Sequence, residues 1–208
     1  MPLKVNTFLN KVILLKYKMN AKIITKEEIF SNMAVFASRL RNSIFIAPTD
    51  TIYGLSANAL DENVVKKVRK IKNSSQPFSI IPPSKEWIFE NCEAENEKIR
   101  EWIAKLPGPY TLILKLKNKN VIAKNVNNNT DTIGIRIPDH WISSLVSELG
   151  VPILTTSANK SGEQFMTNID NLNEEINKEI DFILYENEKN AHPSIIIHLY
   201  GDEKIIKR

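Results

Sequence analysis

One cysteine, Cys92, stands among the 208 residues. An internal disulfide and a cysteine-built metal centre are therefore both excluded, which fits a reducing, cytoplasmic compartment. The three histidines, His140, His192 and His198, lack metal-ligand spacing, so no metal site is expected. Long apolar runs are missing as well. Lys11 and Lys16 interrupt the opening stretch MPLKVNTFLNKVILLKYK, which also lacks the small-residue cleavage site of a secretory leader. No other segment approaches the roughly 18 uncharged apolar residues of a bilayer-crossing helix, so no membrane partner is expected. Neither G-x-x-x-x-G-K-[ST] nor G-x-G-x-x-G occurs, which removes the standard nucleotide fingerprints. No repeat, low-complexity tract or linker divides the chain.

What is present is a chain that is 42% hydrophobic, 25% charged and 8% aromatic, enough for one sizeable core. A net charge of +4 and a pI near 9.0 are compatible with a polyanionic partner such as RNA or ATP. Met19 begins MNAKIITKEEIF, a natural opening. Residues 1–18 therefore read as an extension or a misassigned start, and 19–208 as one domain.

In IITKEEIFSNMAVFASRL the residues Ile29, Met33, Phe36 and Leu40 recur at helical spacing, and Thr25 with Glu28 forms a capping box. A short strand over 44–47 runs into the loop PTDT. Asp61 caps a helix ending at Lys72, with Val64, Val65, Val68 and Ile71 inward and Lys66, Lys67, Arg69 and Lys70 outward. PFSIIP, TLILKLK, IGIRIP, VPILT and DFILYE read as strands, and SIIIHLYGDEKIIK as a hairpin turning at Gly201-Asp202. EKIREWIAKL and WISSLVSELG read as helices, the second stopped by Gly150. Interleaved helices and strands with a closing hairpin predict an α/β domain with a single twisted, mixed parallel and antiparallel sheet.

Two polar loops, PTDTIYGL and TTSANKSG, each follow a short apolar strand, the position where open α/β sheets gather ligands. Ordinary turn chemistry accounts for the same threonines, serines and asparagines, and both readings stand on pattern alone. The ordered set PTDTIYGLSANAL, QPFSII, LPGPYTLIL, TIGIRIPDH, ILTTSANKSG and PSIII resembles the YrdC-like family of threonylcarbamoyl-AMP synthases, over about residues 25–208. The resemblance implies a mixed sheet with a positively charged concave face. It also implies the joining of L-threonine, bicarbonate and ATP, with Mg²⁺ on the polyphosphate, into threonylcarbamoyl-AMP and pyrophosphate. No tightly bound cofactor is implied. The product would serve tRNA threonylcarbamoyladenosine formation through downstream threonylcarbamoyl-transferase proteins, with direct tRNA or other RNA contact left open.

Carried over by residue, the resemblance places Lys72, Gln76, Thr132, Ser157 and Asn159 at ATP. It places Thr51, Arg136, Thr155 and Ser194 at L-threonine, with Lys72 and Arg136 central to catalysis. The family's Lys-x-Arg motif is altered. A gapless count gives Lys72 with Ser74 at the arginine position, and a count back from QPFSII gives Lys70 and Lys72. Either way a planar guanidinium is replaced. Ile81 stands where the family often has a histidine. Without the resemblance, Arg136 reads as half of a structural ion pair; His140 reads as an ordinary loop residue, and Asp50 as a metal contact or, the preferred reading, the cap of its turn. No acid, base or nucleophile triad is visible, so catalysis would rest on positioning and charge neutralisation. Two other readings are a non-catalytic RNA-binding module and a carbamoyl-transfer domain of hydrogenase maturation. The second expects acylphosphatase-like and zinc-finger segments, which the chain lacks.

Overall fold

The computed structural model describes residues 19–207, so the expectation for residues 1–18 lies outside the described residues. Ten strands form a single sheet in the order β1-β8-β2-β3-β7-β4-β6-β5-β9-β10. They are β1 (Lys22–Thr25), β2 (Phe45–Ala47), β3 (Gly54–Asn58), β4 (Ser79–Ile81), β5 (Tyr110–Lys115), β6 (Thr132–Ile135), β7 (Ile153–Ser157), β8 (Phe182–Tyr185), β9 (Ile195–His198) and β10 (Lys204–Ile206). β1, β8 and β2 run parallel to one another, as do β4 with β6 and β5 with β9; the other pairs are antiparallel. The sheet is mixed, as the sequence predicts.

One face is covered from β1 to β9, the edge strand β10 lying outside the core. Ile46, Leu55, Ile80 and Ile135 pack in one core with Val65 and Val68 of α3 (Glu62–Lys72), Ile88 of α4 (Lys85–Asn91), Ile103 of α5 (Glu97–Ala104) and Ile176 of α7 (Glu174–Glu179). The other face is covered only in part. Phe45, Ile81, Ile153 and Leu184 join Ile29 of α1 (Lys26–Ser31), Leu40 of α2 (Met33–Leu40) and Leu145 of α6 (Ile142–Leu149) in a second core. Beyond these helices the same face changes character. Side chains alternate along a strand, so Thr155 and Ser157 share the face of Ile153, and Ser79 that of Ile81. Thr132, Gly134 and Arg136 likewise lie opposite the core residues Ile133 and Ile135. Half a sheet face is thus small and polar, and the site forms there.

Local signals place several elements as expected. Thr25 and Glu28 close the capping box, the Asp61 carboxylate accepts N–H bonds from Asn63 and Val64, and Gly150 ends α6 at φ 66°. Elsewhere the structure differs. The single helix expected over 25–40 is two, broken at Asn32 with φ −156° and ψ 63°. Asparagine favours such breaks because its amide competes with helical backbone bonding. The segment IIT pairs with β8 as strand β1 rather than opening the helix. β3, α4 and α7 are further elements not anticipated.

Arg69 is also not an outward charge. Its guanidinium donates to the carbonyls of Asn125, Val126, Ser74 and Gln76 at 2.6 to 3.1 Å. It also stacks 4.4 Å over the Phe78 ring. The side chain clamps the segment after α3 to the segment before β6 and so fixes the chain entering β4.

Candidate active site

The polar half-face lines a cleft of about 150 Å³ walled by Thr49, Gly54, Ser79, Thr111, Thr155 and Ser157 among others, with Arg136, Phe165 and Ser194 at its margins. Strand register orders these residues. Thr155 lies opposite Ser56 on one side and Ser79 on the other, and Ser79 lies opposite Gly134, giving a middle row across four strands. Ser157 on β7 and Thr132 on β6 are displaced from that row in one direction, because β7 runs antiparallel to β4 while β6 runs parallel to it. Arg136 is displaced in the other. Two residues of strand advance about 6.6 Å, so the two ends of the cleft are about 13 Å apart.

Glycine keeps the middle open. A Cβ at Gly54 would come within 2.5 Å of Thr155 Oγ1, and one at Gly134 within 2.5 Å of Ser79 Oγ. At Gly54 the lining of the cleft is backbone.

At the first end, Lys72 closes α3 with its ammonium buried against the loop that follows β7. It donates to Ser157 O at 2.7 Å, to Ser157 Oγ at 2.9 Å and to Asn159 Oδ1. Asn159 Nδ2 donates onward to Glu163 O at 2.6 Å, and Ser161 N to Lys72 O at 2.9 Å. These oxygens are neutral. They orient the cation. Helix α3 ends here, and its carbonyl-rich terminus does not itself attract anions, so any phosphate would be held by the side chain. Lys70 instead lines a separate groove with Lys160 and Lys178.

At the second end, one guanidinium nitrogen of Arg136 donates to Asp50 Oδ1 and, at 2.7 Å, to the Thr51 hydroxyl. Asp50 Oδ2 accepts the Asp139 N–H at 3.2 Å. Asp50 is therefore not the cap of its own turn. Thr49 has that task, accepting the Thr51 N–H at 3.1 Å and donating to Ile52 O at 2.7 Å. Thr111 and Ser194 share a hydroxyl hydrogen bond of 2.7 Å on the same margin.

The loop that carries Ser194 is tied down at its start. Glu186 accepts from His140 Nε2 at 3.0 Å, from Trp141 Nε1 at 2.7 Å and from the Lys189 ammonium. Burial pushes the Glu186 carboxyl up, but the hydrogen bonds from His140, Lys189 and Trp141 outweigh it and hold the group down at about 2. Tyr53, whose phenol is raised by burial, donates to Asn187 O at 2.7 Å. Cys92 is buried far from this chemistry, and burial pushes its thiol up to about 12.

Comparison with known proteins places this geometry in a lineage. The model of the Sua5/YciO/YrdC family, described as "Telomere recombination", matches residues 39–208. The chain belongs to the Sua5/YciO/YrdC family. A putative threonylcarbamoyl-AMP synthase of Methanocaldococcus jannaschii is 42% identical over 80% of this chain and 79% of its own length. The structure of Pyrococcus abyssi Sua5 complexed with L-threonine superposes with a TM-score of 0.75 at 30% identity, over 86% of this chain and 54% of that one. Full-length HypF in its phosphate- and nucleotide-bound form is similar at a TM-score of 0.73 and 26% identity, over 85% of this chain and 28% of that one. The chain thus spans only about half the length of the Sua5 it resembles.

The residues singled out by sequence divide along the cleft of this family member. Lys72, Ser157 and Asn159 form one hydrogen-bonded unit. Thr132 lies on that side without lining the cleft, its carbonyl taking the Asn127 amide at 2.8 Å. Gln76 is exposed beside the lining residue Pro77. Arg136 and Ser194 line the other end, Thr155 lies between, and Thr51 sits behind Arg136 rather than in the cleft wall. Sequence reading missed Thr49, Gly54, Ser79, Thr111 and the Arg69 clamp. Thr49, Gly54, Ser79 and Thr111 all lie inside the quoted motifs PTDTIYGL, QPFSII and LPGPYTLIL, whereas nothing in the sequence set Arg69 apart.

Proposed function

We propose that the chain is an L-threonylcarbamoyladenylate synthase, converting L-threonine, bicarbonate and ATP into threonylcarbamoyl-AMP and pyrophosphate. The observation that carries this reading is a cleft with Arg136 at one end and, about 13 Å away along the strands, Ser157 at the other, where Ser157 holds the Lys72 ammonium. Lys72 among neutral oxygens suits a polyphosphate, and Arg136, with its planar fork, suits a carboxylate. The names of the relatives and the threonine in Pyrococcus abyssi Sua5 support the same assignment.

The chemistry asks little of acids and bases. The threonine amine forms a carbamate either by adding to CO₂ with release of a proton or by reacting with bicarbonate with release of water. A carbamate oxygen then attacks the α-phosphorus as the bond to the β-phosphate oxygen breaks and pyrophosphate leaves. The protein contributes orientation and positive charge where charge develops. Among the described residues no three acidic, histidine or cysteine side chains converge as a metal cage, so Mg²⁺ would arrive on the polyphosphate as part of the substrate.

No helix among the described residues is long and apolar enough to cross a membrane. We place the reaction in the cytoplasm, where ATP and tRNA are found, and take the product to be passed to downstream threonylcarbamoyl-transferase proteins for tRNA modification. Residues 1–18 remain an extension to domain 19–208 in this reading. Pyrophosphate release measured with and without L-threonine and bicarbonate tests it. Release that needs both is expected. RNA binding with a steep salt dependence and no pyrophosphate would replace this reading with that of a non-catalytic RNA-binding module.

A further inference from the structure

The Arg136 end of the cleft carries its own counter-ion, and that carboxylate is bonded to the guanidinium from just outside the cleft lining. The Arg136 and Asp50 side chains are only 8% and 12% exposed. Asp50 is fixed from both sides, by the guanidinium and by the Asp139 N–H. Its turn does not need it, because Thr49 closes that turn. An arginine that only captured a carboxylate would bind it better without an anion beside it. Two carboxylates on one guanidinium repel, and a buried site screens that repulsion poorly.

We propose that Asp50 is a specificity-determining residue that makes this subsite select zwitterions: α-amino acids whose carboxylate meets Arg136 while the α-ammonium offsets Asp50. The proposal rests on reading the Arg136 end as the amino-acid end. Asp50 and Arg136 together sum to zero charge. An acid without an amine would leave the buried cluster at −1, a state that desolvation penalises, whereas an amino acid leaves it at zero. The neighbouring Thr111 and Ser194 hydroxyls are neutral and cannot impose this discrimination. Asp50 therefore trades affinity for carboxylates in general against preference for those that carry an amine.

The test is calorimetric titration of the full chain with L-threonine and with (R)-3-hydroxybutanoate, which keeps the carboxylate and hydroxyl but lacks the amine. Wild-type protein should bind L-threonine at least about tenfold more tightly, and in Asp50→Asn the ratio should fall to about threefold or less. Part of that fall should come from tighter binding of 3-hydroxybutanoate than in wild type, an effect that a purely structural role would not produce. Asp50→Glu keeps the charge and should keep the preference. Equal weakening of both ligands in Asp50→Asn overturns the proposal, as does a wild type without preference. Should Asp50→Asn not fold, a folded Asp50→Glu that loses the preference also overturns it. A wild type that ignores L-threonine yet prefers another α-amino acid to its amine-free counterpart keeps the role of Asp50 and removes threonine from the function.

Discussion

Lys72 and Arg136 are both buried cations bonded to residues of one polar half-face, Arg136 lying on it and Lys72 reaching Ser157 from the end of α3, yet they are held differently. Arg136 is paired with a carboxylate, Asp50, whereas Lys72 is gripped by Ser157 O, Ser157 Oγ and Asn159 Oδ1, none of which carries charge. Burying a cation costs several kcal/mol unless it is compensated. At the Arg136 end a counter-ion compensates and leaves the local charge near zero. At the Lys72 end these hydrogen bonds run to neutral dipoles, the Ser157 carbonyl and hydroxyl and the Asn159 amide. A polyphosphate and an amino acid ask for these two different settings, so electrostatics as well as shape sorts the substrates.

The comparison breaks most readily at Lys72. Lys72→Ala should lower ATP-dependent pyrophosphate release at least tenfold by removing a charge-assisted contact and freeing Ser157 and Asn159, while Lys66→Ala on the exposed face of α3 should change little. Steady-state kinetics checks both. At the other end, Arg136→Lys keeps the charge but loses the fork. Threonine affinity should fall by about tenfold with ATP affinity nearly unchanged, as read by separate titrations.

A smaller gain should follow from Ser74→Arg. Ser74 lies two residues past Lys72, its hydroxyl accepting the Gln76 N–H at 3.2 Å, and a guanidinium there should tighten ATP binding severalfold. The ceiling is about 1.5 to 3 kcal/mol for a charge-assisted hydrogen bond. An inert Ser74→Arg beside a damaging Lys70→Ala would favour the shifted alignment of the motif.

The smallest effect concerns pH. The Glu186 carboxyl is depressed to about 2 in the folded chain. Its stabilisation is therefore fully present above its ordinary value near 4.5 and is lost as pH falls from there through about 2. Glu186→Gln should remove about 1 kcal/mol at neutral pH, allowing for partial exposure, and nothing near pH 2. Thermal melts across that range check the sign. Because Glu186 anchors the loop bearing Ser194, L-threonine binding should suffer before ATP binding.

Much of this was readable because it is local. The Thr25 and Glu28 box, the Asp61 cap and the Gly150 stop depend on residues a few positions apart, and the structure contains all three. What escaped is non-local or unpatterned. β3 has the sequence GLSAN, whose alternation offers only Leu55 and Ala57 as apolar residues, and β2 and β7 pair with it on both sides. Arg69 resembles its lysine neighbours on α3, and only the fold brings the four carbonyls that engage it. At the site, the quoted motifs located both ends of the cleft. Asp50 was taken for a turn residue because its partners, Arg136 and Asp139, lie more than eighty positions away.

The most direct test of the two-ended cleft is a cross-titration, with L-threonine and ATP each titrated separately into Arg136→Lys and Lys72→Ala. The account predicts that Arg136→Lys loses threonine affinity and keeps ATP affinity, and that Lys72→Ala does the reverse. Equal loss of both ligands in either variant would contradict it.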